Sequence, residues 1–250
     1  MSNLLVKIAK ERFSNPSSQI VHFVDDHNAN AILNNLEKYP HAYVLACLMD
    51  RQIKAERAWL IPYQINEEIG SFDFKELEKL HLEDLNEIFN RKKLHRFNNT
   101  MSEIFYDAIY HISKKYNGDA SKIWKDNPSS AAVVCKFLEF KGSGVKIATM
   151  SVNILARQFR IPFSDFYSID ISPDVHIIRV MKRMGIVDVD ANNDMIIYKA
   201  RELNPEFPGV IDFSCWEIGR NWCKPTTPIC NKCIVEKDCR FSYEHQRNTR

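Results

Sequence analysis

The stretch Cys223-Lys-Pro-Thr-Thr-Pro-Ile-Cys230-Asn-Lys-Cys233-Ile-Val-Glu-Lys-Asp-Cys239 sets four cysteines with six, two and five residues between them. Thiolates this close in a short loop can converge on one centre. Pro225 and Pro228 keep the loop from becoming a helix. The loop has little apolar surface of its own, so something else must fold it. A metal centre does so, because ligand-binding energy becomes folding energy. Four readings stand side by side. Disulfides belong to oxidising compartments and mostly to small secreted domains. Against them, Met1-Ser-Asn-Leu-Leu-Val-Lys is too short an apolar run for a signal peptide, with charge returning at Lys7, Lys10 and Glu11. A four-thiolate zinc site suits Cys230-x-x-Cys233, but such sites usually pair two knuckles. Four free thiols crowded into so short a stretch are the plain alternative. An iron–sulfur cluster is the reading the crowding favours, although the gaps are neither those of the bacterial ferredoxin run nor those of the plant type.

Outward from the loop, composition bounds the rest. A chain of 250 residues allows one large or two small domains. Apolar residues make up 45% and charged residues 26%, enough for a real core. A net charge of +2 neither demands nor excludes nucleic acid. No apolar run is long enough for a transmembrane helix, and seven cysteines without a secretory signal point to a reducing interior, cytoplasmic or equivalent. Only seven glycines argue against a β-sandwich or Rossmann-type sheet and for an all-α chain with short connections.

The apolar pattern predicts helices along most of the chain. Residues 1–13 form an amphipathic one closed by Ser14-Asn15-Pro16, and Ala29–Leu36 another. Ala42 to Met49 is apolar nearly all round, which marks a helix at the centre of a bundle. It turns polar at Asp50-Arg51-Gln52. A helix follows with Ala55, Ala58 and Trp59 on one face, then one or two short ones from Phe74 to Ile88. Arg91-Lys92-Lys93 with His95-Arg96 is a basic cluster, either a solvated face or a phosphate contact. Residues 101–115 carry a helical stripe ended by Asn117-Gly118. Further helices are expected at Ala131–Phe140, Val145–Phe159, Asp174–Met184, Asn193–Leu203 and Asp212–Trp222.

Between two of these, Lys141-Gly142-Ser143-Gly144 makes a hairpin. Two glycines two apart let the backbone turn tightly and aim N–H groups outward. At a helix start such donors suit a phosphate oxygen, although a purely structural turn uses the same residues. Lys146 lies in the first turn of the following helix, where a cation opposes the macrodipole. It is either a plain surface lysine or an amine with a task; an amine whose pKa is depressed is a usable nucleophile. Asp174, after Pro173, is an ordinary N-cap or a partner for that amine.

Taken in order, these motifs resemble the endonuclease III branch of the helix–hairpin–helix DNA glycosylases. Phe140-Lys-Gly142-Ser-Gly144-Val-Lys146-Ile-Ala148 is similar to the family's Leu-Pro-Gly-Val-Gly-Arg-Lys-Thr-Ala. Asp174-Val-His176-Ile-Ile-Arg179-Val180 is similar to Asp-Thr-His-Val-Phe-Arg-Val. Gly219-Arg220-Asn-Trp-Cys223 resembles the lead into the family's cluster loop, and the six-two-five spacing is its own. Leu48-Met49-Asp50-Arg51-Gln52 resembles Leu-Leu-Ser-Ala-Gln at the end of its central helix. The match covers about residues 40 to 240.

The resemblance implies a six-helix barrel domain over 42–160. It implies a second helical domain from 1–41 and 161–250, holding a 4Fe–4S cluster on Cys223, Cys230, Cys233 and Cys239, with DNA across the groove between them. It implies a monomer acting on double-stranded DNA with a damaged base or abasic site, away from membranes. Lys146 would be the nucleophile and Asp174 its partner. Gln52 would fill the stack vacated by a flipped base, Gly142 and Gly144 would meet a phosphate, and Lys224 and Lys232 would add contacts from the cluster loop. The activity implied is a base-excision glycosylase that also cleaves abasic sites. The alternatives are a monofunctional glycosylase or a non-catalytic DNA-binding protein of the same fold. The chain departs from the pattern at three places. Lys141 stands where the family has Pro. Twenty-seven residues separate Lys146 from Asp174, more than usual, which brings Asp170 in as a second candidate aspartate. Cys47 stands where adenine-excising relatives carry a catalytic glutamate.

Overall fold

The computed structural model describes residues 3–15 and 20–248, with side chains over 4–15 and 20–244; Pro16, in the turn expected after the first helix, falls outside them. Among the described residues there is no strand. The helices are α1 (Asn3–Ser14), α2 (His27–Asn34), α3 (Pro40–Met49), α4 (Ala55–Ile69), α5 (Phe74–Leu77), α6 (Leu82–Lys92), α7 (Asn98–Tyr116), α8 (Ser130–Leu138), α9 (Val145–Arg157), α10 (Val175–Arg183), α11 (Asn193–Leu203), α12 (Asp212–Asn221) and α13 (Arg240–Asn248). The all-α class stands. The single surprise among α-helices is α13, which follows the last cysteine and which no apolar stripe announces.

Every residue of α3 is buried. It packs against α2, α4, α7 and α9, as an all-apolar surface requires. Two of its polar side chains reach backbone carbonyls: Tyr43 donates its hydroxyl hydrogen to Ser151 O at 2.6 Å, and His41 Nε2 lies 2.7 Å from Phe72 O, while His41 Nδ1 is buried without a partner. Burial pushes the His41 imidazole down to about 4, so it stays neutral. The helix α7 stops where Asn117 and Gly118 turn left-handed, at φ 53° and 76°. At the other end of the molecule α1 packs on α12, and α10 on α12 and α11. Gly219 makes the α10–α12 contact close: a Cβ there would lie 2.6 Å from His176 Cβ.

The long connection from Phe159 to Asp174 is a packed segment. Phe163, Ile169 and Ile171 are buried along it. Ser164 N–H donates to Pro128 O at 3.0 Å and Ser168 N–H to Ser130 Oγ at 3.0 Å. The extra residues therefore run across the start of α8 before returning to the N-terminus of α9.

Candidate active site and cysteine loop

The hairpin is built as the glycines suggest. Ser143 N–H closes a turn onto Phe140 O at 3.0 Å, with Gly142 at φ 82°. A Cβ on Gly142 would meet Ile104 Cδ1 at 2.8 Å and Arg51 Nη1 at 3.0 Å, so the turn after α3 packs directly on the hairpin. Gly144 caps α9 without a side-chain acceptor, and a Cβ there would face open space. The first-turn N–H groups of α9 are thus open to an anion. Lys141 reaches back to α7, 2.6 Å from Asp107, and this ion pair braces the position where a proline would have stiffened the turn.

Lys146 is exposed in the first turn of α9. Asp174 is half-buried and caps α10, its Oδ1 accepting from the N–H groups of His176 and Ile177 at 2.8 Å each. Ser172, two residues before Asp174, touches the first turn of α9. Its Oγ lies 3.2 Å from Thr149 Oγ1 and 3.5 Å from Lys146 O. Two further carboxylates share the neighbourhood. Burial raises the Asp50 carboxyl above its ordinary value, the Lys146 charge opposes this, and the Asp174 charge adds to it. Asp212 accepts from Ser172 N–H at 2.7 Å. Burial pushes its carboxyl up to about 6, against Arg157 and Lys146 and with Asp174. Asp50 and Asp212 carry no signal in the sequence beyond ending one helix and starting another.

Asp170 is a different kind of residue. It is buried and held by both nitrogens of a bidentate Arg201, at 2.8 and 2.7 Å. Its charge is committed to fixing α11 against the connection. Cys47 is fully buried, its thiol pushed up to about 12 by burial.

Gln52 sits exposed at the tip of the α3–α4 turn with φ 55°, a left-handed backbone uncommon for a residue with a side chain. The basic cluster at the end of α6 is mostly engaged: Arg91 and Lys92 pair with Glu68, and His95 is buried. An open hollow of about 760 Å³ between residues 20–37 and Phe159 contains neither Lys146 nor Asp174.

The four cysteines line one cavity, walled by Val180, Met184, Ile218, Trp222 and Val235. Among the described residues no three His, Cys, Asp or Glu side chains meet closely enough to hold a single metal ion. Burial pushes the Cys233 thiol up to about 11, with the other three cysteines adding to it. Two arginines of α10 grip the loop. Arg179 donates to Cys223 O at 2.6 Å and Gly219 O at 2.9 Å. Arg183 donates to Lys224 O at 2.6 Å, Pro225 O at 2.7 Å and Cys223 Sγ at 3.4 Å. Arg183 was not singled out by the sequence, because its partners lie some forty residues away. Lys224 is half-buried with its ammonium on Arg220 O, and Lys232 is exposed in the short turn Cys230–Lys232.

No protein-family profile matches the chain. It is 25% identical over 167 residues to endonuclease III of Thermotoga maritima, which spans 67% of this chain and 68% of that protein. It superposes on a trapped endonuclease III–DNA covalent intermediate with a TM-score of 0.64 at 17% identity, covering 98% of this chain and 97% of that one. A non-covalent endonuclease III–DNA complex gives 0.64 at 17% identity, covering 98% and 96%. A thermostable thymine-DNA glycosylase gives 0.63 at 14% identity, covering 97% and 96%. With these superpositions covering nearly the whole chain, the chain has the endonuclease III-like glycosylase fold.

Proposed function

We propose that the protein is a base-excision DNA glycosylase with abasic-site lyase activity, acting as a monomer in a reducing compartment. The observation that carries this reading is Lys146, open to solvent in the first turn after the hairpin, with Ser172, two residues before the half-buried Asp174, packed on that same turn. The fold shared with endonuclease III–DNA complexes supports it. DNA would lie across a groove between residues 42–160 on one side and residues 1–41 and 161–250 on the other, its backbone against Gly142, Gly144 and the loop lysines Lys224 and Lys232.

A base inside a duplex is out of reach of Lys146, so it must be flipped out, at about a few kcal/mol. Gln52, already turned outward, would fill the gap. Asp174 accepts the proton of the Lys146 ammonium and faces the positive charge that develops at C1′. The neutral amine forms a bond to C1′ as the base leaves with the glycosidic electron pair. Ring opening gives an iminium Schiff base. Loss of a C2′ proton then breaks the C3′–O bond, and the 3′ strand departs as a phosphate.

The cysteine loop fits a 4Fe–4S cluster. Cys223, Cys230, Cys233 and Cys239, in the six-two-five spacing, line a single apolar cavity, which supports that reading. Such a cluster would supply structure to the loop and withdraw the thiol protons.

Borohydride trapping on abasic DNA tests the chemistry. A covalent protein–DNA adduct is expected, lost in Lys146→Gln. An adduct that persists in that variant means another nucleophile, and base excision without any adduct means a monofunctional enzyme. A brown protein with broad visible absorbance is expected; a colourless one with stoichiometric zinc would rule out the cluster.

A further inference from the structure

The segment that delivers Asp174 is held at two points by the chain leading into α12. Gly209 N–H donates to Ile169 O at 2.7 Å, and a Cβ on Gly209 would lie 2.7 Å from that oxygen. Asn153 of α9 donates to Gly209 O at 2.8 Å. The second point is Asp212, whose Oδ2 takes the Ser172 N–H at 2.7 Å. From its other side Ser172 touches the first turn of α9, at Thr149 Oγ1 and Lys146 O. Ser172 is therefore clamped between the start of α12 and the turn that carries Lys146, two residues before Asp174.

A carboxylate is a costly way to satisfy one amide. It must be desolvated, and the charged groups around it are Arg157, Lys146 and Asp174. Arg157 stacks on Phe213 at 4.0 Å, next in sequence to Asp212. A hydrogen bond from an amide to a carboxylate is, however, shorter and stiffer than one to a neutral acceptor. That stiffness is useful where a fraction of an ångström between two reacting groups matters.

We propose that Asp212 is a positioning residue: by holding Ser172 against the first turn of α9 it sets the reach between Asp174 and Lys146. This rests on the reading of Lys146 and Asp174 as the reacting pair. Asp212 does not touch DNA in this scheme; it acts through the backbone of residues 172–174.

The test compares Asp212→Ala, Asp212→Asn and Ser172→Ala with the unaltered full chain. Three quantities are read: the single-turnover rate of borohydride trapping on abasic DNA, affinity for DNA carrying a non-cleavable abasic analogue, and amide hydrogen exchange over residues 170–174. Asp212→Ala is expected to slow trapping by about tenfold or more with affinity nearly unchanged, and to speed exchange at Ser172. Asp212→Asn keeps a carbonyl acceptor for that N–H and should recover most of the rate. Ser172→Ala removes only the contacts to α9 and should show a smaller fall. If Asp212→Ala does not fold, Ser172→Ala decides alone, and a wild-type trapping rate there overturns the proposal. So does a wild-type rate in a folded Asp212→Ala. An Asp212→Asn variant that protects Ser172 yet traps as slowly as Asp212→Ala also overturns it, since charge rather than position would then matter. A wild-type chain that forms no adduct sinks the reading of Lys146 itself, and this inference with it.

Discussion

Replacing Gly219 by Ala sets two effects of opposite sign against each other. Gly219 lies inside α12 without a left-handed φ, so Ala suits the backbone there and on its own stabilises by about 1 kcal/mol. Against this, the new Cβ would lie 2.6 Å from His176 Cβ, 3.0 Å from its Cα and 3.2 Å from its Nδ1. Carbon atoms prefer separations of about 3.5–4.0 Å, so α10 must retreat by roughly 1 Å. The obstructing atoms are backbone and Cβ, which no change of rotamer moves aside. Overpacking of this kind costs about 1–3 kcal/mol. The retreat also stretches the 2.9 Å bond from Arg179 Nη2 to Gly219 O out of hydrogen-bond range, and a charged hydrogen bond is worth about 1.5–3 kcal/mol. Steric loss therefore wins, by about 1.5–5 kcal/mol. At about 2–4 °C per kcal/mol for a chain of this size, the melting temperature should fall by roughly 3–20 °C. Because Asp174 caps α10, the same shift displaces it, and a misplacement of about 1 Å can cost about a hundredfold in rate. Calorimetry and single-turnover cleavage of abasic DNA measure the two effects. A melting temperature at or above that of the wild type would show that helix propensity outweighs the contact, and the account of the α10–α12 packing would fall.

Two other perturbations separate structural charges from reacting ones. Arg201→Ala leaves the buried Asp170 carboxylate without its bidentate partner; a loss of about 2–3 kcal/mol is expected by urea unfolding, less than for a fully buried pair because Arg201 is part exposed, while Asp170→Asn should retain strand cleavage that Asp174→Asn loses. Asp212 has a folded-state pKa of about 6, raised above its ordinary value of 3.8, so the native state binds its proton more tightly than the unfolded chain; stability from this group is fully present below about pH 4 and lost as pH rises through 6, by up to about 3 kcal/mol, and Asp212→Asn should flatten that part of the profile in denaturant midpoints taken at pH 4.5 and 7.

Local signals in the sequence were enough to locate most elements. The all-apolar run from Ala42 to Met49 specified a central helix because only a helix covered on every side tolerates such a surface. Asn117-Gly118 specified the end of α7 because both adopt the left-handed backbone that stops a helix. The helix expected at Asn193–Leu203 has those bounds. What stayed hidden depends on partners far along the chain. The partner that engages Asp170, Arg201, lies thirty-one residues along the chain. In sequence Asp212 marks only a helix start, because its partner Ser172 lies forty residues away. The helix α13 directly follows the last cysteine and is built mostly from polar residues, so no apolar run announces it.

The grip of α10 on the cysteine loop bears on what that loop does for the chemistry. Asp174 caps the N-terminus of α10, while Arg179 and Arg183 leave the same helix one turn apart and bind four loop or helix-end carbonyls between them. A nine-residue helix spans only about 13 Å and is stiff over that length. A rearrangement of Cys223–Pro225 thus acts on α10 through charged hydrogen bonds, and on α12 through the close contact at Gly219. Both helices begin at the site, one with Asp174 and the other with Asp212. Loss of order in the loop would therefore loosen both carboxylates at once. Two arginines thus tie so polar a stretch, with so little apolar surface of its own, to the helix that Asp174 caps.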